Sequence, residues 1–207
     1  MPAGSFKPLP RSFYRRSTLQ VARDLLGATL VRRTTRGTLA GRIVEVEAYI
    51  GEDDPACHAS HGRTARTEVM YGPPGHAYVY FTYGMHFMLN VVTEREGYPA
   101  AVLLRALEPR LGAAEMRRRR ARSPDWQLAS GPARLCRAFA IDLRFNGADL
   151  VGTPLFIAKG EPPQEPIRWS RRIGIREGRD RAWRAFLAGN RSVSRGRPGL
   201  PPRRRSA

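Results

Sequence analysis

The chain has 207 residues, a length that supports one sizeable hydrophobic core and argues against two domains. Its formal net charge is +18 and its isoelectric point is near 11.4. Such a charge exceeds what solubility requires and favours a polyanionic partner, nucleic acid first, because Lys and Arg displace counterions from phosphates. Charge alone does not separate an enzyme from a non-catalytic nucleic-acid-binding protein.

Cysteine content and hydropathy exclude further classes of protein. Cys57 and Cys136 are the two cysteines, too few for a disulfide framework or a thiolate metal cage. The N-terminus has prolines and charges where a signal peptide needs an apolar run, and no stretch of ~20 apolar residues occurs. We expect a cytoplasmic protein, associated with the nucleoid if the cell is prokaryotic, without a signal peptide or transmembrane segment.

The first predicted element is a helix that begins at Ser17, after a segment at residues 1–16 that we expect to be flexible. Ser17 and Gln20 have the spacing of a capping box ahead of an apolar stripe, and Gly27 is typical of a helix end.

Residues 28–34 and 38–50 are predicted to form the two strands of a hairpin. In the second strand, alternation places Glu45, Glu47 and Tyr49 on one face and apolar residues on the other. One interpretation is a half-exposed strand whose acids face solvent. The other is a site in which an acid held among aromatic side chains acts as a general base.

A long irregular stretch, residues 51–75, follows the acidic strand. Loops of this length in a small domain are usually functional or disordered. His58 and His61, with Asp53 and Asp54 close in sequence, leave a metal site open as one interpretation, although their spacing matches no strong zinc pattern.

Residues 76–82 and 87–92 predict a second hairpin, with Tyr83-Gly84 at or near its tip. Alternation places Tyr78 and Tyr80 on one face. These tyrosines are either core aromatic residues or, in so basic a protein, platforms on which nucleic-acid bases stack.

Two polar residues interrupt apolar strands. Asn90 is either a core amide bonded to the backbone or a functional group. Arg105 is the one charge in a strand predicted at residues 100–106, and a buried arginine needs a partner, for which a carboxylate such as Glu47 is the obvious candidate.

The remainder of the chain is rich in arginine. Residues 108–122 predict a basic helix or a mobile linker with a solvated face. A helix that opens at Ser130-Gly131-Pro132 and extends to Ile141 would offer free N–H groups to a phosphate. We also predict strands at residues 155–158 and 172–175, a short helix or strand at 183–187, and a disordered basic tail at 194–207.

Several of these segments together resemble the alkyladenine (3-methyladenine) DNA glycosylase family. The resemblance rests on the motifs VARDLLG, RIVEVEAYIG, GPPGHAYVYFTYGMHFMLNVV, AVLLRALEP, SGPARLCRAFAI and RRIGI, in that order along the chain. It implies one α+β domain, at residues 17–193, built on a curved antiparallel sheet with flanking helices and a protruding β-hairpin that enters the DNA minor groove.

The resemblance also implies a reaction. Glu47, in EVEAY, would activate the water that attacks C1′ of a damaged nucleotide, and Arg105, in LLRALEP, would help to position that water. The implied enzyme is a monomer that acts on double-stranded DNA containing alkylated purines, needs no cofactor or metal, and leaves an abasic site.

The implied base-binding residues are Tyr49, Ala56, His58, Tyr80 and Asn90. Tyr49, His58 and Tyr80 would sandwich the flipped base, the His58 backbone would also contact its edge, and Asn90 would disfavour guanine.

The resemblance also implies that Tyr83 would fill the space that the flipped base leaves. At the helix that opens with Ser130-Gly131-Pro132, we expect Gly131 and Arg134 to contact a phosphate. Two other functions remain open from the residues alone: a non-catalytic nucleic-acid binder, and a metal-dependent nuclease that uses Glu45, Glu47 and His58.

Overall fold

An antiparallel sheet organises the chain in the computed structural model, which describes residues 6–121 and 123–195. Within these residues the helices are α1 (Arg11–Tyr14), α2 (Thr18–Leu25), α3 (Ala113–Arg119) and α4 (Pro132–Phe139). The strands are β1 (Thr29–Thr34), β2 (Gly37–Ile50), β3 (Ala77–Thr82), β4 (His86–Val92), β5 (Ala100–Leu111), β6 (Leu155–Ala158), β7 (Ile167–Ser170) and β8 (Arg184–Leu187).

Strand β2 is the centre of this sheet. The strand order is β3-β4-β5-β2-β1-β6, and every pairing is antiparallel. β5 covers one edge of β2, whereas β1 covers the first part of the other edge and β8 pairs with its segment from Glu45 to Glu47. The sheet curls into a half-barrel, which confirms the predicted α+β domain with a curved antiparallel sheet.

The hydrophobic core lies between the sheet and the helices. Val44, Val46 and Ala48 of β2 are fully buried in it, as the alternation predicts. Leu135 and Phe139 of α4 pack in the same cluster. Burial of each valine, leucine or phenylalanine side chain stabilises the fold by ~1.5–3 kcal/mol. The packing also fixes which face of β2 is left for chemistry.

Helix α2 begins where the sequence predicts, but its cap differs. The Ser17 side chain makes no capping hydrogen bond. Instead, Glu94 Oε1 accepts hydrogen bonds from the backbone N–H of Thr18 at 2.6 Å and from its hydroxyl at 2.8 Å. A carboxylate from a distant loop therefore satisfies the helix start, and the predicted capping box is wrong.

The hairpin of β3 and β4 confirms the second predicted hairpin. Tyr80 pairs with Met88, and Thr82 with His86. At the tip, Tyr83 has φ 53° and Gly84 has φ 66°. A positive φ is strained for tyrosine, and such strain is concentrated at functional sites.

The predicted strand at residues 172–175 is wrong. This stretch is irregular, and β7 ends before it at Ser170. One physical reason is that the backbone N–H of Ile173 donates to Glu47 Oε1 at 2.7 Å instead of to a neighbouring strand, and Gly174 has φ 77°, outside the range of a strand.

Two open alternatives are settled by the fold. Residues 108–122 contain the end of β5 and then helix α3, so the helical interpretation is correct for Ala113–Arg119. Residues 183–187 contain a strand, β8.

Both ends of the chain carry predictions on which the structure bears only in part. Residues 1–5 and 196–207 lie outside the described residues, and so does most of the predicted basic tail. The domain limits at 17 and 193 stay predictions, although Tyr14, inside the predicted flexible segment, is fully buried. No helix in the described part of the chain is long and apolar enough to cross a bilayer.

Candidate active site

A cavity of about 530 Å³ opens beside the acidic face of β2. The end of β2, the loop after it, the β3–β4 hairpin, β5 and the irregular stretch at 173–177 all contribute to its wall. Seven of the predicted site residues line it: Tyr49, Ala56, His58, Tyr80, Tyr83, Asn90 and Arg105. The fold therefore gathers residues that are up to 56 positions apart (105 − 49) around one space.

Glu47 lies directly behind this wall and is fully buried. Its Oε2 accepts a hydrogen bond from the Tyr49 hydroxyl at 2.8 Å and is 3.1 Å from Arg105 Nη1. Its Oε1 accepts a hydrogen bond from the backbone N–H of Ile173 at 2.7 Å. Burial of a charge without partners is costly, and these three contacts hold a carboxylate in place next to the cavity.

Glu45 is also fully buried, so the interpretation of a half-exposed acidic face is wrong. Its Oε1 accepts hydrogen bonds from Arg105 Nε and Arg184 Nε, both at 2.8 Å. Ser194 adds its backbone N–H at 2.7 Å and its hydroxyl at 2.8 Å. Burial opposes ionisation, but Arg105 and Arg184 outweigh it and hold the pKa of Glu45 below its usual range.

Arg105 connects the two carboxylates. Its Nε bonds Glu45 and its Nη1 pairs with Glu47, as the sequence suggested for Glu47. Burial alone would lower its pKa, but Glu47 and Glu45 raise the pKa of Arg105 above its usual range. The guanidinium is thus a fixed cation in the cavity wall.

The ring of His58 belongs to an aromatic group with Tyr78 and Tyr80. Its Nδ1 is 2.8 Å from the Tyr78 hydroxyl, and its ring centre is 4.5 Å from that of Tyr80, edge to face. Burial, and then the nearby Arg66 guanidinium, lowers the pKa of His58 to about 4. The imidazole is therefore neutral near pH 7 and does not repel a cationic ligand.

Tyr49 and Asn90 complete the polar contacts of the wall. Burial, followed by the Glu47 charge, raises the pKa of Tyr49 well above its usual range, so its hydroxyl remains a donor to Glu47. Asn90 Nδ2 donates to the backbone oxygen of Tyr78 at 3.0 Å. The backbone-bonded interpretation of Asn90 is correct, and the residue nevertheless lines the cavity.

A second buried ion pair supports the wall from behind. Arg172 binds both oxygens of Asp54, with Nη2 2.7 Å from Oδ1, and Arg172 Nη1 donates to Ala48 O at 2.9 Å. Asp54 Oδ1 in turn accepts from the backbone N–H of Ala56 at 3.2 Å. The pair therefore ties the loop of Ala56 and His58 to β2.

A groove of about 470 Å³ lies beside the hairpin, against helix α4. Arg120, Arg134 and Arg137 line it. None of the three has a carboxylate within ion-pair distance in the described part of the chain. Burial, followed by repulsion from Arg134 and Arg137, lowers the pKa of Arg120, as expected of crowded cations. Gly131 is the N-cap residue of α4, and the neighbouring Pro132 lines the larger cavity.

The residues of the metal alternative are committed to other contacts. Asp54 pairs with Arg172, His58 bonds Tyr78, and His61 Nδ1 is 3.0 Å from the Ser60 hydroxyl. No cluster of three or more His, Cys, Asp or Glu side chains suited to a metal occurs among residues 6–121 and 123–195.

Sequence reasoning did not identify the structural role of several residues that build the site. Arg172, Asp54, Arg184 and Ser194 hold the wall and the carboxylates, yet each is separated from its partners by long stretches of chain. The one available signal was the motif RRIGI, whose arginines the strand prediction did not assign to a partner.

Comparison with known proteins gives a single family. The sequence model of "Methylpurine-DNA glycosylase (MPG)" matches residues 12–191. A relative from Carboxydothermus hydrogenoformans is 52% identical over 189 residues, which are 90% of this chain and 98% of the relative. Relatives from Methanocella arvoryzae (51%, 92% and 98%) and Salinibacter ruber (48%, 93% and 98%) are similar over comparable lengths. All three are named "Putative 3-methyladenine DNA glycosylase".

The contacts of buried Glu45 with Arg105 and Arg184 lead to a prediction about stability. Glu45→Gln leaves two buried guanidiniums short of a negative charge, and we expect the free energy of unfolding to fall by ~3–5 kcal/mol in denaturant titrations. Glu68→Gln, which removes the exposed partner of Arg63, is the control and should cost at most ~1 kcal/mol. An equal effect of the two substitutions would contradict the account of Glu45.

The neutral state of His58 predicts a pH dependence. Since its pKa is about 4 in the folded chain and ~6.5 when unfolded, the unfolded chain binds more protons between these values. Stability should therefore decline as the pH falls through this window, by up to ~2 kcal/mol from pH 7 to pH 5. His58→Asn should show a smaller decline in denaturant titrations at the two pH values. A variant with the wild-type decline would show that another group is responsible.

Proposed function

The chain belongs to the methylpurine-DNA glycosylase family, and on this premise we propose that it excises alkylated purines, 3-methyladenine among them, from double-stranded DNA. It flips the damaged nucleotide out of the duplex, hydrolyses its N-glycosidic bond and leaves an abasic site. The observation that carries the proposal is the buried carboxylate of Glu47, held by Tyr49 and Arg105 at the wall of a cavity lined by aromatic side chains.

The cavity accepts a flipped purine between aromatic rings. Tyr49 lies on one part of the wall, and Tyr80 with His58 lies on another. Base stacking on aromatic side chains contributes ~1–3 kcal/mol per base. Extrusion from the duplex costs a few kcal/mol, less for a damaged base that pairs and stacks poorly, so the rings can offset that cost selectively.

Asn90 and the Ala56 backbone act on the edge of the base. Asn90 is fixed by its bond to Tyr78 O, and Ala56 is fixed by Asp54. A rigid amide in the wall discriminates between purines by the fit of their exocyclic groups. We propose that Asn90 excludes guanine by crowding its amino group.

Glu47 is the proposed general base. Its carboxylate draws a proton from the attacking water as the glycosidic bond breaks, and its negative charge stabilises the oxocarbenium-like transition state. Arg105, fixed between Glu45 and Glu47, is a donor that orients this water from the cavity wall. Tyr49 contributes both to base binding and to catalysis, because its ring contacts the base while its hydroxyl holds Glu47.

The reaction is proposed to end at the abasic site. A lyase step needs an amine that forms a Schiff base. Among the described residues that form the cavity wall there is no lysine, and the two lysines of the chain are Lys7 and Lys159. The protein is therefore proposed to be monofunctional, and because one chain supplies the whole wall, to act as a monomer.

Two surfaces contact the duplex around the cavity. Tyr83 is 78% exposed at the hairpin tip and also lines the cavity mouth, a position from which it can replace the extruded base in the stack. The groove of Arg120, Arg134 and Arg137, with the start of α4 at Gly131, offers guanidiniums and N–H groups to backbone phosphates.

Replacement of the proposed base tests the chemistry. Glu47→Gln keeps the size of the side chain but removes the carboxylate, and we expect release of 3-methyladenine from duplex DNA to fall ~100-fold or more. Glu96→Gln, at an exposed carboxylate, is the matched control. Retained release by Glu47→Gln would exclude Glu47 as the base. Binding without release by the wild type would instead indicate a non-catalytic nucleic-acid binder.

The hairpin tip gives a second test. Tyr83→Ala removes a ring that would stack in the duplex, so affinity for a lesion duplex should fall ~5-fold or more in a titration of fluorescent DNA. Tyr83→Phe keeps the ring and should retain the affinity. An unchanged affinity of Tyr83→Ala would contradict the wedge role.

A further inference from the structure

An arginine guanidinium lies over the ring of each tyrosine that faces the proposed base. The Arg172 guanidinium carbon is 4.7 Å from the centre of the Tyr49 ring, and that of Arg66 is 5.2 Å from the centre of the Tyr80 ring. Tyr49 and Tyr80 line the cavity, whereas Arg66 and Arg172 do not. Neither guanidinium therefore occupies the space proposed for the base.

Arg172 is fixed in this position. Its guanidinium is fully buried, binds both oxygens of Asp54, and lies 5.2 Å from the ring centre of Trp183. The Asp54 carboxylate balances its charge. Arg172 therefore adds little net positive charge next to the Tyr49 ring.

Arg66 is different, because it has no carboxylate within ion-pair distance in the described part of the chain. It belongs to the loop after His58, is exposed, and has Nη2 3.4 Å from His58 Nε2. Its positive charge therefore acts on Tyr80 and His58 without a counter-charge.

A ring that already holds a cation attracts a second cation less strongly. The attraction arises from the negative face of the ring quadrupole, and a guanidinium on one face both polarises the ring and repels a positive charge beyond it. Stacking of a neutral base depends mainly on buried area and dispersion, which the guanidinium leaves intact. The charge of a purine thus changes how strongly these two rings hold it.

We propose that Arg66 determines the charge selectivity of the site. It weakens the preference for cationic purines, such as 7-methylguanine, relative to neutral modified purines, such as hypoxanthine. The inference rests on the proposed glycosylase function and specifies how the same cavity ranks its substrates.

Arg66→Gln tests the inference without disturbing the core, since the side chain is exposed. Two duplexes that differ only in the lesion, 7-methylguanine or hypoxanthine, compete for the full-length enzyme at pH 7.5, and the released bases give the ratio of the two kcat/KM values. Arg63→Gln is the matched control, because it removes the same charge from the same loop but Arg63 lies over Tyr71, which does not line the cavity.

Arg66→Gln should raise the ratio of 7-methylguanine to hypoxanthine excision by roughly two- to fivefold, the worth of an exposed cation–π contact. The effect reaches kcat/KM because the purine keeps part of its positive charge while the glycosidic bond is only partly broken. Arg66→Lys keeps a cation near the ring and should stay close to the wild-type ratio, and Arg63→Gln should leave the ratio unchanged.

Three outcomes would overturn the inference: an unchanged ratio in Arg66→Gln, a lower ratio, or the same rise in Arg63→Gln. These outcomes are distinct from failure of the proposed function, in which the wild-type enzyme would release neither base. A general loss of DNA affinity cancels in the ratio, because both duplexes carry the same backbone charge.

Discussion

Two carboxylates of one strand, Glu45 and Glu47, lie in the protein interior because arginine side chains and backbone N–H groups reach them from other elements. Arg105 crosses from the neighbouring strand to contact both, and Arg184 approaches from the opposite edge of β2. Loss of one of these carboxylates or arginines would leave a buried charge without its counter-charge. The pairing of β2 with β5 on one side and β8 on the other is therefore what places a fixed carboxylate at the cavity.

The same constraint divides the arginines of the chain into two groups. Arg105, Arg172 and Arg184 are buried and paired with carboxylates, so they contribute to the architecture of the site. Arg134 and Arg137 lack such partners among the described residues and line a groove beside the hairpin. Overall charge indicated a polyanionic partner, but only the structure distinguishes cations that stabilise the site from cations available to phosphates.

Local patterns predicted much of the fold. Alternation along β2, β3 and β4 gave both hairpins, and the positions around Tyr83 and Gly84 gave the turn. These features depend on near neighbours in sequence. The cap of α2 was not predictable in this way, because its acceptor, Glu94, is 76 residues from Thr18.

The candidate-site residues that belong to sequence motifs could be predicted. The contacts between residues far apart in the sequence, which hold those residues in place, could not. Glu47, Tyr49 and Tyr80 were identified from motifs, but the burial of Glu45 depends on Arg184 and Ser194, 139 and 149 residues away. Likewise, the prediction at residues 172–175 failed because the backbone N–H of Ile173 bonds the Glu47 side chain, a contact 126 residues away in the sequence.

The most direct test of the proposed activity is to incubate the wild-type chain with duplexes that carry 3-methyladenine, 7-methylguanine, hypoxanthine or ethenoadenine, with and without a chelator, and to measure free base and strand breaks separately. We expect release of a free purine base that the chelator does not reduce, with strands that remain intact until the abasic sites are cleaved by alkali. Strand cleavage abolished by the chelator, or binding without release of any base, would contradict it.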